Sequence, residues 1–327
     1  MTTPTATATD AVPPTGGSRL VRRGPRRADD GFRFLTLCAG VLVLAILALI
    51  AWSTTKEALP AFREEGLGFI TSSRWAPNEG AFGALAFVYG TFFVSLIALV
   101  FAVPASIGIA LFTTELAPRT LRKVTTFVMD LLAAVPSVVF GLWGVSVLAV
   151  AAPGFYAAIG SPLSAIPGLG GAFEEPYNGK SFVSAGFILA LMITPIITSI
   201  TRDVFDTTPR GQKEAALALG ATRWEMIRGT VLPHSKAGVI GAVLLGLGRA
   251  MGETIAAALV IGSGSQISIR LFASGDALAA RVANEFGEAT GTWRAGLVGL
   301  GVVLFAMTIL VNLAATAVVS RGTKGAG

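Results

Sequence analysis

The sequence has almost no cysteine or histidine and few charged residues. Cys38 is the only cysteine and His234 the only histidine among 327 residues, which excludes a disulfide framework and a metal cage of several cysteines or histidines. Charged residues make up 13% of the chain and hydrophobic residues 53%, with a mean hydropathy of +0.71. A water-soluble domain cannot hide that much apolar surface in one core. Most of the chain is therefore predicted to lie in lipid.

The charges that remain are mostly basic, but their distribution does not favour a nucleic-acid partner. The formal net charge is +6, yet Lys and Arg lie between long apolar runs rather than along one face or stripe. Basic residues between apolar runs are typical of the cytoplasmic loops of membrane proteins. We interpret them as signals of topology.

Six apolar runs are long enough, at roughly 20 residues, to cross a bilayer core about 30 Å thick. They predict an all-α membrane protein with six transmembrane helices. The predicted spans run approximately over Phe34–Trp52, Ala84–Phe112, Val124–Val150, Phe182–Ile200, Ala237–Ile261 and Ala295–Val319. Pro104, Pro136 and Pro195 fall within these spans, where each proline is expected to kink its helix.

Lys and Arg are concentrated in alternate loops, which predicts that both termini face the cytoplasm. Residues 1–30 form a polar, basic tail that is expected to be disordered. The six helices then form one domain over residues 31–321, followed by a short tail over residues 322–327. The external segment Pro153–Lys180 is rich in Gly and Pro and is predicted to be irregular.

The longest cytoplasmic loop, over about residues 202–236, predicts a short helical hairpin. Its first helix lies around Lys213–Leu219 and is expected to end at Gly220 in a left-handed conformation. A second helix over about Thr222–Arg228 begins with a capping box between its first residue and Glu225. Pro233 is expected to stop this second helix before the next span. Such a compact hairpin suits docking into a groove of another protein.

The same loop resembles the signature of the permease subunits of ABC importers. That signature is Glu-Ala-Ala, three residues, Gly, nine residues, Ile, one residue and Leu-Pro. The matching positions here are Glu214, Ala215, Ala216, Gly220, Leu232 and Pro233. Thr230 replaces the usual Ile. The resemblance implies that this loop is the coupling helix, which sits in a cleft of a cytoplasmic ATPase.

An arginine and a glutamate lie inside the fifth predicted span. An uncompensated arginine at the bilayer centre costs at least about 2.5–3.5 kcal/mol, so Arg249 is expected to face protein or water. Glu253 follows four residues later, which predicts that it lies on the same helical face. The two side chains either neutralise each other to hold helices together or form an anion site on the conduction path. We favour the anion site, because a planar guanidinium matches two oxygens of a tetrahedral oxyanion.

The same span is rich in glycine. Gly248 and Gly252 form a GxxxG pair beside the charges. Together with Gly241 they are predicted to give the helix a smooth side for close approach of another helix.

The stretch Arg249–Thr254, with the apolar run that follows it, looks like the corresponding span of the phosphate-specific permeases. It is more similar to the PstC type than to its PstA partner, and Thr254 joins Arg249 and Glu253 in the expected substrate path. Residues 133–137 and 140–141 are also similar to that family, and the resemblance covers roughly residues 34–320. It implies a type I ABC importer permease in the bacterial inner membrane, with phosphate as its substrate. The implied partners are a second, homologous permease in a heterodimer, two copies of a cytoplasmic ATP-binding subunit and an external phosphate-binding protein.

The chain itself is predicted to be a non-catalytic subunit that binds no cofactor. Gly179-Lys180-Ser181 ends like a phosphate-binding loop, but Glu174 stands where that motif needs glycine. ATP and Mg²⁺ are therefore expected to be used by the partner ATPase. An intramembrane enzyme is not favoured, because the spans lack a metal-binding cluster and a Ser-His pair. The open alternatives are the partner permease, a permease for another oxyanion, and a secondary transporter or channel with an Arg-Glu relay.

Overall fold

The computed structural model describes residues 26–168 and 170–324, and it describes side chains within residues 30–168 and 170–317. Most of the predicted N-terminal tail thus lies outside the described residues, whereas residues 26–30 are already helical. Of the predicted tail at residues 322–327, the part up to 324 is helical and the rest lies outside the described residues. The chain divides into two units, residues 1–50 and residues 51–327, which are described separately below.

The described chain is mainly helical. Its helices are α1 Arg26–Glu65, α2 Gly68–Thr71, α3 Leu85–Leu111, α4 Arg119–Ala134, α5 Ser137–Trp143, α6 Ala149–Ser164, α7 Phe182–Asp206, α8 Arg210–Ala218, α9 Arg223–Met226, α10 Leu232–Gly252, α11 Ile255–Val260, α12 Leu278–Glu285 and α13 Gly291–Lys324. A wider π turn ends the second span at Phe112–Leu116. Two further π turns, Gly144–Leu148 and Ile227–Val231, join α5 to α6 and α9 to α10. Two short antiparallel strands, β1 Trp75–Ala76 and β2 Ala81–Phe82, form a small hairpin.

Six helical stretches of the described chain are long and apolar enough to cross a membrane, which confirms the predicted number of spans. These stretches are Asp30–Glu65, Leu85–Leu116, Ser137–Ser164, Phe182–Asp206, Arg223–Gly252 and Gly291–Ala317. The part of α1 in the first unit exposes every described side chain, as an apolar helix in contact with lipid would.

The third span lies further along the chain than its predicted bounds, Val124–Val150. The residues before Val135 form the separate helix α4, whose apolar and polar side chains lie on opposite faces. Pro136 disfavours the helical conformation for the residue before it, and Val135 is extended. Pro136 therefore begins the span instead of kinking it. The helix then continues to Ser164. Of the segment Pro153–Lys180, which was predicted to be irregular, only the part after Ser164 is irregular.

The fifth span also differs from its predicted bounds, Ala237–Ile261. It begins earlier, because α9 runs through the π turn into α10, and Pro233 lies in the first turn of α10 instead of stopping a helix. It ends earlier, because Glu253 is extended (φ −70°, ψ 128°) and terminates α10. Helix α11 starts after this break at Ile255.

Helix α7 is the centre of the packed core in the second unit. It packs most extensively against α3 and next against α10, and its side chains Ile188, Ile193 and Ile197 are almost completely buried. Pro195 lies inside α7 without ending it, as Pro104 does in α3. The remaining spans expose much more of their apolar surface.

A cluster of buried charges, here called the Asp276 cluster, fixes the loop between the fifth and sixth spans. The carboxylate of Asp276 pairs with Arg281 at 2.7 Å, and Arg281 also pairs with Glu285. The other oxygen of Glu285 accepts hydrogen bonds from the indole N–H groups of Trp75 and Trp293, each at 3.1 Å. These contacts tie the loop to the β hairpin and to the start of α13.

Candidate functional site

Helices α10 and α13 line a cavity of about 900 Å³ within the membrane-spanning part of the second unit. Its wall combines small, apolar and polar side chains. The lining residues are Ile196, Gly241, Leu244, Leu245, Gly248, Arg249, Gly252, Glu253, Thr308, Asn312 and Thr316. The two charged residues predicted for the substrate path thus meet in one cavity.

The helix break changes the expected relation between the two charges. Arg249 is exposed in the last turn of α10, whereas Glu253 lies in the extended link beyond it and is half-buried. The prediction that both lie on one face of a continuous helix is therefore wrong. Among the described residues Arg249 has no carboxylate partner within ion-pair distance, so its donors remain open to the cavity.

Glu253 instead interacts with the helix that follows it. Its Oε1 accepts a hydrogen bond from the backbone N–H of Ala256 at 3.4 Å, in the first turn of α11. A carboxylate at this position is favoured by the partial positive charge of a helix N-terminus. Thr254 donates to the carbonyl of Gly252 at 3.4 Å and is not among the residues that line the cavity.

The glycines of α10 divide into two sets with different surroundings. A Cβ at Gly241 or Gly252 would meet no atom within 4 Å, and one at Gly248 would only touch Asn312 at 3.9 Å. The predicted close approach therefore does not occur there within this chain. It occurs at Gly238 and Gly246, where a Cβ would lie 2.5 Å from a methyl of Val204 and 2.6 Å from one of Ile197 in α7, respectively. The three predicted glycines instead widen the cavity.

Three polar residues of α13 complete the cavity and were not singled out from the sequence. Thr308, Asn312 and Thr316 recur every four residues, a spacing that places side chains on one face of a helix. This spacing is visible in the sequence, but a polar stripe in one span does not reveal which helix it faces. The signal becomes specific only when the packing brings α13 next to α10.

The predicted coupling hairpin is confirmed as a local structure. Helices α8 and α9 are separated by Gly220, which has the expected left-handed backbone (φ +89°). Thr222 and Glu225 form both hydrogen bonds of the capping box. The hairpin exposes large apolar side chains, with Leu219 89% and Trp224 61% exposed. Exposed apolar side chains next to polar ones are typical of a protein interaction surface.

The signature residues occupy different parts of this hairpin. Glu214 and Ala215 are exposed on α8, whereas Ala216 packs against a buried cluster that includes Phe205 and Ile227. Leu232 packs against the same cluster from the first turn of α10. The cluster thereby attaches the hairpin to the ends of α3 and α7.

One partly buried ion pair supports the same attachment. Lys213 Nζ lies 2.5 Å from Glu115 Oε1, and their side chains are only 17% and 9% exposed. Glu115 belongs to the π turn at the end of α3, and Lys213 directly precedes the signature. Movement of the hairpin is therefore linked to α3 by a charge pair as well as by apolar packing.

Among the described residues no group of three or more His, Cys, Asp or Glu side chains is placed to hold a metal ion. The chemistry available in the cavity is instead that of one guanidinium, one carboxylate, one amide and two hydroxyl groups. The guanidinium is the one positive group among them, and a guanidinium can bind an oxyanion through hydrogen bonds and charge without reacting with it.

A family model and the curated relatives agree on the kind of protein this is. Residues 102–323 match the family described as binding-protein-dependent transport system inner membrane component. A phosphate transport system permease protein PstC of Mesorhizobium japonicum is 44% identical over 310 residues, which cover 92% of this chain and 93% of the relative. A protein of the same name from Xylella fastidiosa is 41% identical, with 96% of each chain covered.

Solved structures show the same fold at lower identity. The crystal structure of a bacterial ABC transporter involved in the import of the acidic polysaccharide alginate contains a chain that aligns with a TM-score of 0.60. The two chains are 17% identical, and the alignment covers 91% of this chain and 99% of the other. This likeness confirms the predicted permease fold. The chain belongs to the inner membrane components of binding-protein-dependent transport systems.

Proposed function

We propose that this chain is the PstC-type permease of an ABC importer and forms half of a path for inorganic phosphate across the inner membrane. The observation that carries the proposal is the cavity between α10 and α13, into which Arg249 presents a guanidinium with no carboxylate partner among the described residues. A charge at membrane depth almost always faces protein or a water-filled cavity, and it commonly marks the path of a substrate or an ion. A tetrahedral oxyanion supplies a partner for the guanidinium.

The geometry also fits transient binding. The guanidinium offers a planar fork of donors to two phosphate oxygens. Glu253 lines the same cavity, and its negative charge opposes the anion. A transport site must bind its ion weakly enough to release it, and a nearby carboxylate provides that balance.

The names of the relatives support phosphate over another oxyanion. Arg249 alone would accept sulfate or molybdate as well, since each is a tetrahedral anion. The family assignment disfavours the alternative of a secondary transporter or channel, because this family works with a binding protein. The chain is then a non-catalytic subunit within the transporter.

The proposed assembly follows the resemblance. A second homologous permease completes the path, two copies of a cytoplasmic ATP-binding subunit use ATP and Mg²⁺, and an external protein delivers phosphate. The coupling hairpin supports this arrangement, because it exposes Leu219 and Trp224 at one end of the spans. These side chains are suited to a cleft of the ATPase.

Uptake of radiolabelled phosphate by reconstituted complexes tests the role of Arg249. Arg249→Ala is expected to lower uptake per assembled complex at least about tenfold, because hydrogen bonds to a charged group contribute roughly 1.5–3 kcal/mol. Arg249→Lys keeps the charge but loses the planar fork, so its uptake should be intermediate between that of Arg249→Ala and that of the parent. Glu253→Gln should have a milder effect.

The double variant Arg249→Ala/Glu253→Ala separates binding from mutual neutralisation. If the two charges only neutralise each other, the double variant should regain both assembly and uptake. If Arg249 binds phosphate, the double variant should assemble and remain defective, since no donor fork is left. Near-normal uptake per complex in the double variant would overturn the proposal.

A further inference from the structure

The wall of the cavity formed by α13 carries an amide inside a span that is otherwise strongly apolar. Asn312 lies in the sixth span, Gly291–Ala317, and lines the cavity with Thr308 and Thr316. Placing an amide in an apolar environment is unfavourable unless it is hydrogen-bonded. The amide of Asn312 therefore requires a partner.

The two threonines of the same stripe already have partners for their hydroxyl protons. Thr308 Oγ1 donates to the carbonyl of Leu304 at 2.8 Å, and Thr316 Oγ1 donates to the carbonyl of Asn312 at 2.8 Å. Such bonds to the carbonyl four residues earlier are common for threonine in membrane helices. They leave these hydroxyls with acceptor capacity only.

Asn312 differs from both threonines. Its side chain is exposed, and its amide forms no hydrogen bond with the described residues. An amide nitrogen offers two donors. Of the three polar residues on α13 that line the cavity, Asn312 alone therefore has donors free for a ligand.

The amide also lies close to the arginine along α10. A Cβ built at Gly248 would be 3.9 Å from Asn312 Nδ2, and Gly248 directly precedes Arg249. The absence of a side chain at Gly248 thus leaves the amide against the helix that carries the guanidinium. A single anion of phosphate size in the cavity has donors on two walls.

We propose that Asn312 is a second ligand of the transported oxyanion and donates a hydrogen bond from Nδ2 to an oxygen that Arg249 does not bind. This inference rests on the proposed function and adds a binding residue to the same site. The guanidinium supplies the charge from α10, and the amide supplies a neutral donor from α13. Two donors on different helices fix the anion between α10 and α13 without adding a second positive charge that would hold it too strongly.

Asn312→Leu tests the inference, because the leucine side chain branches at the same carbon as that of asparagine and has no donor. Uptake of radiolabelled phosphate per assembled complex is expected to fall roughly fivefold, as for the loss of a neutral hydrogen bond. Asn312→Asp should reduce it further, since a carboxylate has no donor and repels the anion. Thr308→Val and Thr316→Val are the matched controls on the same stripe and should stay within about twofold of the parent.

The outcomes distinguish the inference from the function on which it rests. Normal uptake in Asn312→Leu, with Arg249→Ala still defective, overturns only the role of Asn312. Normal uptake in both variants overturns the phosphate path as well. If Asn312→Leu lowers the yield of complexes but each assembled complex transports normally, Asn312 packs helices and binds no anion.

Discussion

The ionisation of Asp276 depends on the fold. Its side chain is almost completely buried in the Asp276 cluster, and burial raises the pKa of its carboxyl from 3.8 to about 6, although the charge of Arg281 opposes this shift. Glu285 is close enough to raise the pKa further. The protonated form is thus more favourable in the folded loop than in the unfolded chain.

The raised pKa predicts that the contribution of Asp276 to stability falls as pH rises from about 4 to 6. The folded state binds more protons than the unfolded state in this range, so the contribution is complete below pH 3.8 and lost above pH 6. Between pH 7 and pH 5 the parent should gain roughly 1 kcal/mol relative to Asp276→Asn. Thermal unfolding of the purified complex at several pH values measures this difference. Parallel pH profiles for the two proteins would contradict the prediction.

At the scale of single residues, the sequence predicted the local structure correctly where that structure depends only on neighbouring residues. The left-handed Gly220 and the capping box of Thr222 and Glu225 depend on a few neighbouring residues, and both are confirmed. The prediction that Arg249 faces protein or water follows from the free-energy cost of a charge in lipid. Asn312 was missed because its surroundings are created by the packing of a second helix.

At the scale of elements, the breaks in the spans could not be read from hydropathy. The apolar run of the fifth span continues through Glu253, yet α10 ends there. A hydropathy window averages over about 20 residues and does not register one extended residue. The break before Pro136 carries a local signal, because proline restricts the residue before it. A prediction based on apolar length alone does not use this signal and therefore missed the break.

The ion pair between α8 and the end of α3 allows a charge-reversal experiment. Lys213→Glu or Glu115→Lys places like charges together in a partly buried site, so each should disturb the attachment of the coupling hairpin. Phosphate uptake per ATP hydrolysed should therefore fall in either single variant. The combination Glu115→Lys/Lys213→Glu restores opposite charges and should recover much of the parent's ratio of phosphate uptake to ATP hydrolysis.

Asp203→Lys provides the control for this experiment. Asp203 pairs with Arg202 at 3.4 Å, but its side chain is 72% exposed, and exposed pairs contribute little. The ratio of uptake to hydrolysis should remain near that of the parent. A double reversal at Glu115 and Lys213 that is no better than the single variants would show that the pair does not support coupling.

For the whole molecule, the number of spans and the family follow from the sequence, whereas the orientation remains a prediction. The alternation of basic loops places the coupling hairpin in the cytoplasm and the β hairpin outside. Asn78 and Gln212 are exposed on these two segments, and Cys38 is the only native cysteine. Cysteine labelling therefore addresses the orientation directly.

In a Cys38→Ser background, a membrane-impermeant maleimide should label Asn78→Cys in right-side-out vesicles. Gln212→Cys should react only after detergent opens the membrane, because its side chain is predicted to face the cytoplasm. The detergent-treated sample controls for protection of Gln212→Cys by a bound ATPase. The reverse pattern of labelling would overturn the predicted orientation.

The central position of α7 has a consequence for biosynthesis. The ribosome makes α3 before α7 and α10 after it, so α7 enters the membrane when only one of its two main packing partners exists. The face of α7 that receives Gly238 and Gly246, formed by Val204 and Ile197, then has lipid as its neighbour. The packing of the core is therefore completed only when the fifth span emerges. A nascent chain that stops before α10 contains the contacts of α7 with α3 but lacks those with α10.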